Sequence, residues 1–253
     1  MHMTPQQAAE ALSWLAEMGA DEVVGETPVD RFAAPQTPAT PLRVAVAPVL
    51  RRDDGGGAAA CNTLDDIIAA LSQFDACPLK KTATNLCFAD GNPNARVMLI
   101  GEAPGRDEDI EGKPFVGTSG QLLDKMLAAI GLSRSAGEPD NSVFITNTIF
   151  WRPPGNRTPT AAETSMCLPF LLRVIEIQQP QFIVCLGPAP AHRLTGLSNG
   201  ILKLRGKWLE HASSGRAIPL LPTLHPAYLL RQPAQKRLAW RDFLALRNAL
   251  DAH

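Results

Sequence analysis

Four short polar segments of this chain carry side chains that could perform one chemistry together. They are GEAPGRDEDIEGKPFVG (101–117), ITNTIFWRPPGNR (145–157), VCLGPAPA (184–191) and HPAYLLR (225–231). Apolar runs of strand length, VMLIG, VFITN and FIVCLG, lead into the first three segments, and IPLLPTL precedes the fourth. Open α/β sheets form their ligand crevice at the carboxyl ends of parallel strands. The spacing therefore predicts one composite site, typical of an enzyme.

Individual side chains in these segments are candidates for recognition and catalysis, and each also has an ordinary structural explanation. Phe115 lies between Pro and Gly without any periodicity, so it either covers the core or stacks on a flat base. Asn147 ends a strand, where its amide either forms a turn or reads one edge of a nucleobase. His225 precedes a proline, which favours an extended backbone. Glu102 either caps a helix or lines a pocket.

Parts of two of these segments suggest contacts with a nucleic acid, one with its phosphates and one with its stacked bases. RPPGNR places Arg152 and Arg157 around a rigid Pro-Pro-Gly turn, which suits phosphate binding. AYLLR is expected to place Tyr228, Leu229 and Leu230 on an exposed loop beside Arg231. Apolar side chains flanked by a cation can enter a base stack.

The acidic run RDEDIEG allows two interpretations. Asp107, Glu108, Asp109 and Glu111 fit a solvated helix start, where negative charge suits the helix dipole. They also fit a divalent-metal site for phosphate chemistry. No second acidic cluster stands at the other strand ends, which makes the metal site the weaker interpretation. The absence of GK[ST] after GEAPG argues against a P-loop nucleotidase.

The elements that would position these segments alternate between strand and helix. Strands are predicted near 96–101, 143–148, 182–187 and 217–223, and helices near 63–74, 119–131, 160–177, 188–196 and 234–251. This order predicts an α/β fold, a three-layer α/β/α sandwich around a central, mainly parallel four-stranded sheet. We assign it to residues 61–253. Before it, we predict an N-terminal helix within residues 1–25 and a flexible Pro/Ala/Gly-rich linker at 26–60.

The overall composition does not exclude a nucleic-acid partner. The 253 residues carry a net charge of −1, but Arg205–Arg247 holds eight basic residues and only two acidic ones. Binding to phosphates depends on such local positive surface. No apolar run reaches the roughly 18 residues of a membrane span, and no secretory signal begins the chain. We therefore expect a cytoplasmic protein with reduced cysteines and no membrane contact.

The set of motifs resembles one known family. GEAPGxxEDxxGxPFVGxxGQLLD, ITNxxxxRPPxNRxP, the LG turn of VCLGPAPA and HPAYLLRxPxxK follow one another in the order found in the family 4 uracil-DNA glycosylases, which are iron–sulfur enzymes. The resemblance covers about residues 62–250. It implies a uracil-DNA glycosylase-like fold that flips deoxyuridine out of DNA. Hydrolysis of the N-glycosidic bond would then release uracil and leave an abasic site, the first step of base excision repair.

The resemblance also implies roles for particular residues. Phe115 would stack on uracil and Asn147 would bind its polar edge, while His225 stabilises negative charge on the departing base. Asn156 would position the attacking water, and Glu102 would assist that water or the cationic sugar. The remaining expected contacts are Gly101 and Ala103 with uracil, Arg152, Arg157 and Lys236 with phosphates, and Leu229, Leu230 and Arg231 in the gap left by the flipped nucleotide.

One departure from the family concerns the cofactor. The four cluster thiolates of the family fall here at Phe74, Cys77, Trp151 and Cys167. Two cysteines cannot hold a four-cysteine cluster, so we expect no metal and no cofactor. Phe74 and Trp151 would pack into the space that the cluster fills in the family. The alternative is that Cys61 or Cys87 substitutes as a ligand.

Three functions are compatible with these sequence features. The first is a glycosylase acting on uracil-containing DNA as a monomer, with a possible protein partner recruited by the N-terminal helix. The second is a non-catalytic binder of single-stranded or damaged DNA that uses Phe115 and the basic C-terminal third. The third is a metal-dependent phosphoesterase built on Asp107 and Asp109.

Overall fold

A single mixed sheet organises the part of the chain that the computed structural model describes, residues 57–253. Its strand order is β1-β3-β2-β4-β6-β5. The four central strands β3, β2, β4 and β6 are parallel, whereas β1 and β5 pair antiparallel at the two edges. The strands are β1 Ala89–Gly91, β2 Val97–Gly101, β3 Val143–Asn147, β4 Phe182–Leu186, β5 Leu209–Ser213 and β6 Arg216–Thr223.

The α/β class and the four parallel strands predicted from the sequence are confirmed, and two edge strands are added to them. The edge strands escaped prediction because β1 is only three half-buried residues and β5 carries polar residues between apolar ones. Edge strands need less apolar character because one side has no partner strand. The sheet therefore has six strands rather than four.

Helices cover both faces of the sheet. On one face Met98 and Ile100 pack with α1, α4 and α5, and on the other Val97 and Leu99 pack with α3 and α8. This alternation along β2 is the period of two expected for a central strand. The helices are α1 Leu64–Gln73, α2 Arg106–Glu111, α3 Thr118–Ala128, α4 Ala161–Gln178, α5 Pro188–Thr195, α6 Ile201–Leu204, α7 Pro226–Arg231 and α8 Lys236–Asp251.

The sequence marks the starts of two of these helices. Thr63 caps α1 and Thr160 caps α4, each in a capping box with an acidic residue three positions later. Such a box satisfies backbone N–H groups that a helix start leaves free. The predicted helices therefore begin close to where the structure has them.

The segment AYLLR was predicted wrongly as an exposed loop. It forms α7, which begins after His225 and packs against the rest of the domain. Leu229 is fully buried among Leu122, Met126 and Leu238. The proline after His225 suits the first turn of a helix as well as a loop, and the sequence could not distinguish the two.

The predicted N-terminal helix and most of the predicted linker lie outside the described residues. The last linker residues are described, and there Ala58–Ala60 forms a 3-10 turn whose Ala58 is buried in the core. Within residues 57–253, none of the helices combines the length and hydropathy that a membrane crossing requires.

Candidate active site

A cavity of about 780 Å³ lies at the carboxyl ends of the parallel strands. The chain passes from β2 to β3 on one side and from β4 to β6 on the other, so the crevice opens where the strand order reverses. All four polar segments contribute to it. Of the predicted site residues, the cavity is lined by Glu102, Ala103, Phe115, Asn147, Asn156, Arg157, His225 and Arg231.

The innermost wall of the cavity combines an amide with an aromatic ring. Asn147 is the last residue of β3 and is almost fully buried, and its Oδ1 has no hydrogen-bond partner. Gly101 lies opposite in register, where an added Cβ would come within 2.3 Å of Asn147 Oδ1 and 2.6 Å of the Phe115 ring. Only glycine fits at this position. The close approach lets the ring and the amide face the same space.

The Phe115 backbone is held in an unusual conformation by polar contacts. Its φ of 55° is in the left-handed region, which residues other than glycine rarely adopt. Arg134 donates from Nη2 to the Phe115 carbonyl at 2.9 Å and from Nη1 to the Pro114 carbonyl at 3.0 Å. Glu108 Oε1 accepts from the amides of Val116 and Gly117, each at 3.1 Å. These contacts fix the ring at the cavity wall.

His225 lies beside the Phe115 ring at the cavity wall, with ring centroids 5.5 Å apart and ring planes tilted by 32°. Its Nδ1 accepts from the backbone N–H of Ala227 at 3.1 Å, so the proton of the neutral ring lies on Nε2. Burial, aided by the nearby charge of Arg231, lowers the pKa of His225 to about 4. The ring is therefore a neutral Nε2–H donor at pH 7.

Glu102 follows β2 and lines the cavity without capping a helix. Its backbone carbonyl accepts from the Ile149 amide at 3.0 Å and from Thr148 Oγ1 at 2.6 Å, which ties the end of β2 to the segment after β3. Burial raises the pKa of the Glu102 carboxyl. A carboxylate with little water around it is suited to stabilise positive charge or to accept a proton.

The RPPGNR loop forms the outer rim of the cavity. Asn156 has a φ of 56°, and its Oδ1 accepts from Arg152 Nε at 2.7 Å. Arg157 binds Glu163 through both terminal nitrogens, at 2.9 and 2.6 Å, which lowers the pKa of Glu163 to about 2. Arg157 thus lines the cavity while its guanidinium holds the start of α4.

The acidic run stabilises loops. Both Asp109 oxygens accept from Thr84, and Oδ1 also accepts from the Asn85 amide at 3.3 Å. Glu108 accepts from Gly105 in addition to the amides of the Phe115 loop. Within residues 57–253, no three His, Cys, Asp or Glu side chains are grouped to hold a metal ion. The carboxylates of Asp109 and Glu108 thus serve as hydrogen-bond acceptors for neighbouring loops.

The predicted DNA-contact residues divide into buried and exposed ones. Leu229 is fully buried and is not available to enter DNA, so its assignment as a wedge was wrong. Leu230 is 39% exposed and Arg231 is exposed beside it. Lys236 is exposed at the start of α8. Arg152 is partly buried, with Nη1 4.0 Å from Asp109 Oδ2.

Several residues that shape the site were missed in the sequence. Glu108 was considered only as part of the acidic run, and Arg134, from the turn after α3, was not considered. Leu202 of α6 and Ser119 of α3 also line the cavity. The one sequence signal for the contacts of Glu108 and Arg134 with the loop around Phe115 was the motif PFVG itself, because the backbone N–H and C=O groups of such a loop need hydrogen-bond partners.

The four positions of the family's cluster meet in the core, on the α1 and α4 side of the sheet. Phe74 and Trp151 stack with centroids 6.5 Å apart, and Phe74 also contacts Phe170 edge-on at 5.0 Å. Cys77 and Cys167 are fully buried, and their side-chain hydrogen bond, together with burial, raises the pKa of the Cys167 thiol. Two thiols and two aromatic rings are not the donor set of a four-cysteine cluster.

The fold and the cavity define an α/β protein with its ligand crevice at the open edge of a parallel sheet. The chain matches the family described as the uracil DNA glycosylase superfamily over residues 88–244. This match covers more than half of the chain and includes all six strands and most of the cavity wall. The protein belongs to the uracil DNA glycosylase superfamily.

Curated relatives of this chain are named more specifically. It is 40% identical over 185 residues to a type-4 uracil-DNA glycosylase of Archaeoglobus fulgidus, an alignment that covers 72% of this chain and 90% of that protein. A type-4 uracil-DNA glycosylase of Saccharolobus solfataricus is 39% identical over 196 residues, or 76% and 88% of the two chains. One from Thermotoga maritima is 41% identical over 162 residues, or 64% and 80%.

Proposed function

We propose that this protein hydrolyses the N-glycosidic bond of deoxyuridine in DNA, releasing free uracil and leaving an abasic site. The observation that carries the proposal is the buried Asn147 Oδ1 at the wall of the cavity, which has no hydrogen-bond partner among the described residues. Such an unsatisfied acceptor costs about 1–3 kcal/mol. The N3–H group of uracil would satisfy it, while the Phe115 ring stacks on the face of the base. The names of the curated relatives support the same substrate.

The base leaves as an anion, and His225 is suited to stabilise it. Its neutral Nε2–H donates to the uracil O2 atom as negative charge develops there. A preorganised donor of this kind is typically worth about 2–4 kcal/mol in the transition state. Because the low pKa keeps the ring neutral, the Nε2 proton stays on the histidine and the uracil departs as the anion.

The sugar becomes cationic as the bond breaks, and the opposite side of the cavity carries the groups that would respond. The Glu102 carboxylate stabilises this charge or accepts a proton from the attacking water. Asn156 is the proposed residue for positioning that water, with its side chain oriented by Arg152. Gly101 and Ala103 complete the uracil pocket, Gly101 by leaving space and Ala103 by lining the wall.

DNA reaches the cavity with the deoxyuridine flipped out of the stack, because the buried Asn147 cannot be reached by a stacked base. Leu230 and Arg231 on α7 occupy the gap, and Lys236 and Arg152 contact phosphates. Arg157 contributes mainly by holding the rim loop through Glu163. We propose a monomeric cytoplasmic enzyme that acts on uracil-containing DNA and recruits a protein partner through its N-terminal residues 1–25.

The catalytic domain is proposed to work without an iron–sulfur cluster. Support comes from the rings of Phe74 and Trp151, which stack where two of the family's ligands would stand. The two other candidate ligands are engaged, since the Cys87 thiol donates to the Glu108 carbonyl at 2.9 Å and the Cys61 thiol to the Gly57 carbonyl at 3.5 Å. Iron analysis after anaerobic purification should give well under one iron per chain. A brown protein with about four irons would contradict the proposal.

A base-release assay tests the proposed function. Wild-type protein should release uracil from a single-stranded uracil oligonucleotide without added metal, and His225→Ala should lower kcat/KM by about 100- to 1,000-fold. His192→Ala is the matched control, because His192 bonds the Asn199 carbonyl away from the cavity and should leave the rate unchanged. Binding without release, or equal rates for wild type and His225→Ala, would contradict the proposal.

A further inference from the structure

A second hollow lies on the other side of α7 from the active-site cavity. It has a volume of about 200 Å³ and is formed by α3, α7 and α8. Leu122, Met126 and Leu229 form its apolar floor, Trp240 forms a wall, and Lys125 and Lys236 stand at its rim. We call this surface the α8 hollow.

Trp240 makes the α8 hollow unusual among the described surfaces. Its side chain is 41% exposed, and it lines the hollow with no ring partner among residues 57–253. It is the one aromatic residue among the exposed large apolar residues of this part of the chain, and together with the floor residues it forms an apolar patch of the kind that binding sites use. The hollow can accept one flat ring on its apolar side.

The charge around the α8 hollow is positive and unopposed. Lys125 and Lys236 line the hollow, whereas Arg237 and Arg241 are exposed on the same helix, α8, without lining it. None of the four forms an ion pair within the described part of the chain. The carboxylates on the same helices are used elsewhere. Asp124 binds Arg134, Asp242 is buried against Arg205 and Thr223, and Asp251 binds Arg247.

The α8 hollow is continuous with the proposed DNA path. Tyr228 and Arg231 of α7 line the active-site cavity, while Leu229 between them forms part of the floor of the hollow. One short helix therefore separates the two sites. A helix is about 10 Å across, a distance that a DNA strand crosses within a few nucleotides.

We propose that the α8 hollow binds an unpaired nucleobase of the same DNA strand, a few nucleotides from the deoxyuridine, with Trp240 as the stacking surface and the rim cations on the neighbouring phosphates. This inference rests on the proposed function for the identity of the strand. Stacking on an aromatic side chain together with backbone contacts is how proteins bind single strands without regard to sequence. A base-paired strand cannot offer its bases in this way, so the site favours single-stranded substrates.

Substrate length tests the proposal. For a single-stranded oligonucleotide with about ten nucleotides on each side of the uracil, Trp240→Ala should raise KM about tenfold with kcat unchanged. Trp240→Phe keeps a stacking ring and should raise KM less than threefold. For an oligonucleotide with one nucleotide on each side, neither variant should change KM. Duplex substrate should show a smaller effect than the long single strand.

The controls separate stacking from folding and from catalysis. Leu244→Ala changes an equally exposed residue one turn further along α8 that does not line the hollow, and it should leave KM unchanged. Binding of a uracil-free oligonucleotide, followed by fluorescence anisotropy, should weaken about tenfold in Trp240→Ala whether or not the protein excises uracil. Unchanged KM and unchanged binding in Trp240→Ala, or an equal loss in Leu244→Ala, would overturn the proposal.

Discussion

The loop of Phe115 lies at the active-site cavity and the aromatic cluster around Trp151 lies in the core, and the two are fixed by opposite means. Phe115 is held through its backbone, by Glu108 on the following amides and by Arg134 on its carbonyl. Trp151 is held through its side chain, by stacking on Phe74 and an edge contact with Phe150. Hydrogen bonds have a direction and select one backbone conformation, whereas apolar burial stabilises without a strict orientation. The first region should therefore control catalysis and the second stability.

The largest effect is expected on stability, from the aromatic cluster. Trp151→Ala should lower the free energy of unfolding by about 4 kcal/mol, because it removes a buried ring and leaves a cavity. Activity measured well below the unfolding temperature should change less than tenfold. Urea denaturation provides the measurement, and Trp151→Phe, which keeps a ring, should lose less than half as much. A loss below about 1 kcal/mol would mean that the cluster is not a stabilising element.

Arg134→Met should produce the largest effect on activity among changes away from the cavity surface. It removes two bonds to the Phe115 loop and leaves Asp90 without its ion-pair partner. We expect about 3 kcal/mol less stability and about a hundredfold lower kcat/KM. Arg173→Met is the control, because Arg173 donates to the Cys61 carbonyl and Glu176 and lies away from the Phe115 loop. If Arg134→Met and Arg173→Met lost equal activity, the Phe115 loop would have no special control of catalysis.

Glu108→Gln should have a moderate effect on the same loop. The side chain keeps its shape but loses the charge that strengthens its bonds to the amides of Gly105, Val116 and Gly117. About a tenfold fall in kcat/KM is expected, mainly through KM, since the ring that receives uracil becomes less ordered. Glu111→Gln is the control, because it changes an exposed carboxylate at the end of the same helix, α2, that does not line the cavity. That variant should retain nearly full activity in the same assay.

The smallest effect concerns pH. The pKa of His225 lies at about 4 in the folded protein, below the ordinary histidine value, so the ring is neutral from pH 8 down to about pH 5. Burial raises the pKa of Glu102, so this carboxylate is protonated before His225 as the pH falls. The acid limb of kcat/KM should therefore move to lower pH in Glu102→Gln, where His225 remains to titrate, and the rate of this variant should change less than threefold between pH 8 and 6.5. If kcat/KM of Glu102→Gln still fell with a midpoint near pH 6.5, the titrating group would be His225 and not Glu102.

The parts of this site that the sequence predicted are those fixed by local pattern. Apolar runs identified the four parallel strands, and the polar residue after each run identified Glu102, Asn147 and His225 as neighbours at one sheet edge. This works because strand direction and the shared edge follow from chain order alone. The loop position of Phe115 left open whether its ring covers the core or stacks on a base, and in the structure the ring packs in the core and also lines the cavity.

The parts that it did not predict depend on contacts between distant residues. Arg134 follows Phe115 by 19 positions, and no pattern indicates that its guanidinium turns back to that carbonyl. The burial of Leu229 depends on the packing of Leu122 and Met126 against a helix of only six residues. Such a helix is too short to show a period of 3.6. The two edge strands were missed for another reason, since β1 has only three half-buried residues and β5 carries polar residues between apolar ones.

The burial of Leu229 has a consequence for how the protein meets its substrate. Because this side chain anchors α7 to α3 and α8, the element that carries Leu230 and Arg231 is already in place before DNA arrives. The protein therefore changes its conformation little on binding, and it is the DNA that has to bend and unstack. Substrates that bend easily, such as mismatched or melted stretches, should be processed fastest.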